Sequence, residues 1–268
     1  MSKFDAIHNK FESILQTVLK IPGVRINRED FLRNELSRYF EQDIVESAIQ
    51  KNPAAAGLGV KDIEIIAKSC IKNETSEVTA ISTIAGIPGG FALIGTVPAD
   101  AIQYFIHIFR ILQKLIYLYG WQELFDSDGK INSGSLNLLI LFVGVMFDVE
   151  AAYSLVYKIA KSAAQKTDNV LIQKALSYSS VCLTVKEVTI QINDYLRKEL
   201  FVKGISKIVP VIGGVCSGGL TYVTFKPMAK RLQKYLAELP TSDVDFNSTR
   251  QNEDNSESDF PDDENLSL

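Results

Sequence analysis

The chain is short of the residues most chemistry needs. It has only two histidines, His8 and His107, three widely separated cysteines and one tryptophan. Cys70, Cys182 and Cys216 stand at no ligand spacing with each other or with a histidine, so no metal site is expected. Unpaired cysteines in apolar surroundings are the usage of a reducing compartment, where the thiol serves as a small hydrophobe. Residues 1–10 mix Lys3, Asp5 and Lys10 with no apolar run, which is no secretory signal. An intracellular, cytoplasmic protein is expected.

Nucleotide motifs fail for want of single residues. Gly90 and Gly95 have the glycine spacing of a phosphate loop, but Thr96-Val97 stands where Lys-Ser/Thr is required. Gly57 and Gly59 begin like a dinucleotide fingerprint, but Asp62 occupies the third position and no strand pattern precedes them. Asp148 and Glu150 are two apart, on different faces of a helix, and do not form a working carboxylate pair. Basic residues are not interleaved with aromatics, so nucleic acid is not an expected partner. No catalytic residue and no cofactor is assigned, and the sequence leans away from an enzyme.

What is present is helical periodicity and two unusual apolar stretches. Phe4, Ile7, Phe11, Ile14, Leu15 and Val18 form one stripe at helical spacing. Asn27 with Asp30 three residues on predicts a cap opening a charged helix to about Lys51, and Pro53 ends it. Shorter helices are expected over 60–71 and from Thr75 onward. An apolar helix should start at Pro98 and stop at Gly120. Residues 136–161 read as one helix containing Gly144 or as two, 169–201 read as helical, and Pro227 should open the last helix. Strand signals are few, so the fold class is all-α: a compact multi-helix domain over 1–240. Amphipathic helices over 1–52 precede a core over 53–240.

The acidic residues are unevenly placed. Residues 241–268 carry nine of the 32 acids against Arg250 alone, which leaves the body mildly basic. That stretch is rich in serine, asparagine and acid and cannot bury enough apolar surface to offset ordering, so it is read as a disordered acidic tail.

Between 78 and 109 the only formal charge is Asp100, and between 208 and 225 there is none. Both stretches carry glycine and proline too densely for ordinary core helices. Gly86 and Gly90, and again Gly214 and Gly218, have the four-residue spacing that lets helix backbones approach closely, with Gly89 and Gly213 beside them. About 20 unbroken apolar residues are needed to cross a bilayer. Proline and glycine interrupt the first stretch, and lysines flank the second on both sides, which disfavours a single crossing. Three readings stay open: re-entrant or surface insertion, a tightly packed core pair, and spans. In the last helix Lys226, Lys230, Arg231 and Lys234 oppose an apolar face, as in a helix lying among lipid headgroups or simply covering the core.

One further pattern is a narrow polar stripe. Asp100, Gln103, His107, Arg110 and Lys114 fall within an arc of roughly 80° on an otherwise apolar helix. It reads either as a strip turned to water or as the lining of a polar cleft, with His107 as acid or base and Asp100 and Arg110 binding a substrate. Asp100 and His107 are about 10 Å apart by helix rise, too far to touch.

Taken together, Gly86-Ile-Pro-Gly-Gly-Phe-Ala-Leu-Ile-Gly-Thr-Val-Pro-Ala-Asp100, Leu112-Gln-Lys-Leu-Ile-Tyr-Leu-Tyr-Gly-Trp121 and the segment from Ile208-Val-Pro-Val-Ile-Gly-Gly to Lys226-Pro-Met228 resemble the EcsC family. The resemblance covers roughly residues 50–239. It implies a bacterial helical protein, from a family named after an operon that also encodes an ABC transporter, and it implies no reaction. The leading expectation is a non-enzymatic protein peripheral to the inner face of the cell membrane. Its partners would be membrane lipid and a membrane protein complex, which it would serve as accessory or regulator. The alternatives are a soluble carrier or enzyme for a hydrophobic ligand, with the 100–114 stripe at its pocket, and a membrane-inserting toxin or pore.

Overall fold

A computed structural model describes residues 3–80, 99–165, 176, 179–195 and 215–249. Within them lie ten α-helices and no β-strand, an all-α fold as expected. They are α1 (Lys3–Leu19), α2 (Arg28–Leu36), α3 (Gln42–Gln50), α4 (Val60–Ala80), α5 (Ala99–Leu118), α6 (Ser133–Met146), α7 (Glu150–Gln165), α8 (Ser179–Tyr195), α9 (Val215–Ala237) and α10 (Val244–Thr249). A 3-10 turn, Pro240–Ser242, joins the last two.

The core is built around α5 and α6. Helix α9 packs along α4, α5 and α6; α1 packs on α8 and α5; α6 packs on α7 and α8; and α2 packs on α3 and α5. From Gly134 to Met146 every residue of α6 is buried, which is why it shows no polar face. Asn132 caps it, its side chain accepting from the Ser135 N–H at 2.8 Å. Gly144 marks where α6 comes closest to its neighbours. A Cβ there would meet Val188 Cγ1 at 2.5 Å and Ala152 Cβ at 2.8 Å, so any larger residue pushes α8 and α7 away.

Several local expectations hold. Asn27 caps α2 by accepting the Asp30 N–H at 2.9 Å. Helix α5 ends before Gly120, whose φ of +90° suits only glycine and whose missing Cβ leaves room for the Thr241 carbonyl.

Others are corrected. The charged segment after Asn27 is two helices, α2 and α3, with a turn at 37–41. Buried Arg28 joins them to the rest by donating to the carbonyls of Ala48, Ile49, Lys51 and Trp121. A cation at the C-terminal end of α3 also meets its dipole favourably. The segments expected over 60–71 and from Thr75 are one helix, α4. Thr75 and Ser76 donate their hydroxyls to Ile71 and Lys72 carbonyls, so the polar run stays inside the helix. Of the two readings left open for residues 136–161, the structure has the second, two helices broken at Asp148, which takes a left-handed φ of 64°.

Pro227 lies inside α9 rather than opening it. The helical body also runs past Pro240, through α10 to Thr249. Thr241 and Ser242 are buried, Ser242 donating to the Leu236 carbonyl at 2.5 Å. Gly86, Gly89, Gly90, Gly213 and Gly214 lie outside the described residues, and Gly218 falls in the first turn of α9.

Candidate functional site

Helices α4 and α5 pack against each other, and the seam between them holds the one part of the polar stripe whose side chains are described. Glu74, from α4, has no solvent exposure. Three residues of the α5 stripe close on its carboxylate. His107 Nδ1 lies 3.0 Å from Oε1, Arg110 Nε 2.8 Å from Oε1, and Lys114 Nζ 2.7 Å from Oε2. Their 107, 110, 114 spacing puts them on one side of α5 over two turns, so one acid on the facing helix can reach all three. This described part of the stripe therefore does not face open water. His107 is 2% exposed, while Arg110 and Lys114 are partly exposed and lie toward the rim. Asp100 and Gln103 stand on the first turns of α5, above the cluster in the helix direction.

Burial alone raises the Glu74 pKa. The His107 hydrogen bond and the charges of Lys114 and Arg110 outweigh it, holding the carboxyl down at about 2. With Glu74 ionised, its oxygen accepts from His107 Nδ1–H. Nε2 on the other side of the ring is buried and has no hydrogen-bond partner. Such an unsatisfied group costs about 1–3 kcal/mol. Arg110 adds two contacts at the rim, donating to the Gly23 carbonyl at 2.5 Å and to Glu77 at 3.2 Å. The cluster thus pins α4, α5 and the turn after α1 together.

As chemistry, the arrangement offers an oriented imidazole with a free Nε2 and, among the described residues, no nucleophile beside it. The thiol of Cys70, one turn back on α4, is pushed up to about 12 by burial and stays protonated. The Thr75 hydroxyl is spent on the Ile71 carbonyl at 2.5 Å. Among the described residues no group of histidine, cysteine and acids has the arrangement of a metal site.

A second polar knot lies along the C-terminal half of α5. Gln113 accepts from Ile26 N–H and donates to the Val24 carbonyl, both at 2.9 Å. Glu123 accepts from the Arg28 N–H at 2.9 Å and the Tyr117 hydroxyl at 2.7 Å. Burial and the adjacent carboxylate push the Tyr117 hydroxyl upward, so it remains a donor. None of Glu74, Glu123 and Arg28 stands out in the sequence. Each is an ordinary charged residue of an amphipathic segment until its distant partner is known.

The cationic face of α9 divides in two. Lys230 and Lys234 are exposed, and neither has an acidic partner among the described residues. Lys226 is half-buried. Arg231 works within the fold: it donates to the Met146 carbonyl at 2.5 Å and lies 3.5 Å from Asp148, fastening the α6–α7 break. Among the described residues no helix is long and apolar enough to cross a membrane. No family model, curated protein or solved structure matches this chain.

Proposed function

We propose that this chain is a non-enzymatic helical protein that attaches to the cytoplasmic face of a membrane through its two glycine-rich, charge-poor segments. There it serves a membrane complex as an accessory or regulator, in the manner the EcsC resemblance implies. One observation carries the reading: both segments adjoin the described helices at the same end. Glu74, late in α4, meets His107 in the first half of α5, while Glu64, early in α4, lies near enough to act on Tyr119 just past the end of α5, so those helices run antiparallel. Tyr104, early in α5, donates to Thr224 and Met228 in the middle of α9, while Gly120, just past the end of α5, meets Thr241 past the end of α9, so α5 and α9 run parallel. The C-terminus of α4 and the N-termini of α5 and α9 therefore lie together. Residues 81–98 join the first two, and 196–214 lead into the third.

Two apolar, glycine-spaced segments at one end suit a lipid surface, and α9 laid along that surface would bring the exposed Lys230 and Lys234 of its C-terminal half to anionic headgroups. The ligand-carrier reading has no comparable support, because His107, Arg110 and Lys114 are occupied by Glu74. The test is flotation of the purified chain with phosphatidylcholine vesicles, with and without phosphatidylglycerol, at low and high salt. Binding that requires the anionic lipid and weakens with salt supports attachment. Protein that stays at the bottom of the gradient under every condition refutes it.

A further inference from the structure

Four exposed lysines flank a groove at the opposite end of the molecule. Tyr157 of α7, Ala237 and Glu238 of α9, Pro240 and Ser242 of the 3-10 turn, and Phe246 of α10 line it. Lys161 is one turn beyond Tyr157 on the exposed side of α7, and Lys158 is beside it. Lys234 is one turn before Glu238 on the exposed side of α9, and Lys230 one turn before that. The two helices touch through Tyr153 and Tyr235, whose rings lie 4.8 Å apart edge to face. Lys158 and Lys161 thus belong to the α7 side of the groove and Lys230 and Lys234 to the α9 side, and none of the four has an acidic partner among the described residues.

Helix α10 packs on α7 and the 3-10 turn, and it ends at Thr249, three residues after Phe246. The chain therefore leaves the described body at this groove. Residues 250–268, on the far side of that exit, hold seven acids and Arg250 as their only cation. At about 3.3–3.6 Å per extended residue they reach some 60 Å. The stretch of α9 from Lys226 to Ala237 is only about 17 Å long. Tethering one charge run beside its opposite makes their meeting intramolecular, which raises the effective concentration without new contacts.

We propose that residues 250–268 dock on the lysine surface of α7 and α9 and shield it from anionic lipid. Glu238 and Asp243 already line the groove, so the contact is with the lysines on either side of it rather than with the groove floor. The regulatory half rests on the membrane-attachment reading; the docking half does not. The released tail exposes Lys158, Lys161, Lys230 and Lys234, so attachment is favoured wherever a stronger cationic partner draws the acids away.

The test uses the full chain in two measurements. Carbodiimide coupling at low salt, read by mass spectrometry on a mixture of isotopically light and heavy chains, should link tail carboxylates to these four lysines within one chain. The links should disappear at high salt, because screening is nearly complete beyond about 8 Å at physiological ionic strength. Links spread evenly over Lys20, Lys51 and Lys72, links between chains, or no links would each overturn the docking. A second variant replaces the seven acids by amides: Glu253→Gln, Asp254→Asn, Glu257→Gln, Asp259→Asn, Asp262→Asn, Asp263→Asn and Glu264→Gln. It should bind vesicles containing phosphatidylglycerol about tenfold more tightly than the parent. That gain should vanish when Lys158, Lys161, Lys230 and Lys234 are also changed to glutamine. Equal binding by the parent and the amide variant would overturn the shielding. Binding by neither, with the links present, would instead remove the attachment reading and leave the docking intact.

Discussion

From Gly134 to Met146 helix α6 is wholly buried and nearly all apolar, whereas α5, buried along most of its length, delivers His107, Arg110 and Lys114 to a carboxylate on α4. In α6 the one large polar side chain, Asn137, donates to the Leu176 carbonyl at 3.0 Å, and the rest is shape. Close packing there depends on Gly144. In the α4–α5 seam, packing depends on charge matching, and the geometry leaves only His107 Nε2 unmet. An apolar interface tolerates small slips in position, because dispersion has no direction. A buried carboxylate held by three donors does not. The seam therefore fixes how α4 sits on α5, next to the end where both glycine-rich segments join the body.

The largest effect should come from Glu74→Ala. It leaves the seam's cations without their buried anion, a change that costs about 3–5 kcal/mol when no route to water remains. Arg110 and Lys114 are 23% and 14% exposed and can turn outward, so the expected loss is near the lower end. Urea denaturation measures it. A loss under about 1 kcal/mol would place the cluster with ordinary surface pairs and erase the contrast with α6.

Acid should pick out the same group. The Glu74 pKa is lowered from 4.5 to about 2 in the folded protein, so its contribution is complete above the unfolded value and disappears as pH falls through the folded one. The stability difference between the parent and Glu74→Gln should be flat above about pH 5 and shrink steadily down to about pH 2. A difference that does not change with pH across that window would mean the carboxylate is not ionised in the seam.

Next in size is Gly144→Ala. The added methyl must displace Val188 or Ala152, and overpacking of this kind costs about 1–3 kcal/mol. Adding Val188→Ala should recover part of the loss, since it removes the nearer contact. No recovery would show that the backbone of α7, rather than the side chain on α8, sets the limit.

Much of the apolar half of this comparison was legible in the sequence, and little of the polar half. The α6 run, the Asn27 cap and the stop at Gly120 are local signals, each set by residues within a few positions. The stripe on α5 was legible as a stripe, but its direction was not. Its partner, Glu74, lies 33 residues from His107 and looks like any acid of an amphipathic helix. Arg28 is similar: its carbonyl partners on and just after α3 lie 20 to 23 residues away, and only the fold brings them together. The boundary after Pro240 was placed too early for the same reason. Thr241 and Ser242 look like tail residues but are buried, and Phe246 lines a groove with Tyr157.

The smallest effect should come from Lys68→Gln, and it sharpens the comparison most. Lys68 pairs with Glu64 on α4 at 2.7 Å, the same separation as Lys114 and Glu74 about three turns along the helix. The two pairs match in chemistry and distance and differ in burial. Lys68 and Glu64 are 62% and 43% exposed, while Glu74 is fully buried. An exposed i,i+4 pair contributes about 0.3–0.5 kcal/mol and is screened by salt. Lys68→Gln should therefore shift stability by less than about 0.5 kcal/mol. That shift should vanish at high salt, while the Glu74→Ala loss persists. If both losses faded with salt alike, water would reach the seam, and the α4–α5 interface would be a surface contact rather than a second kind of core.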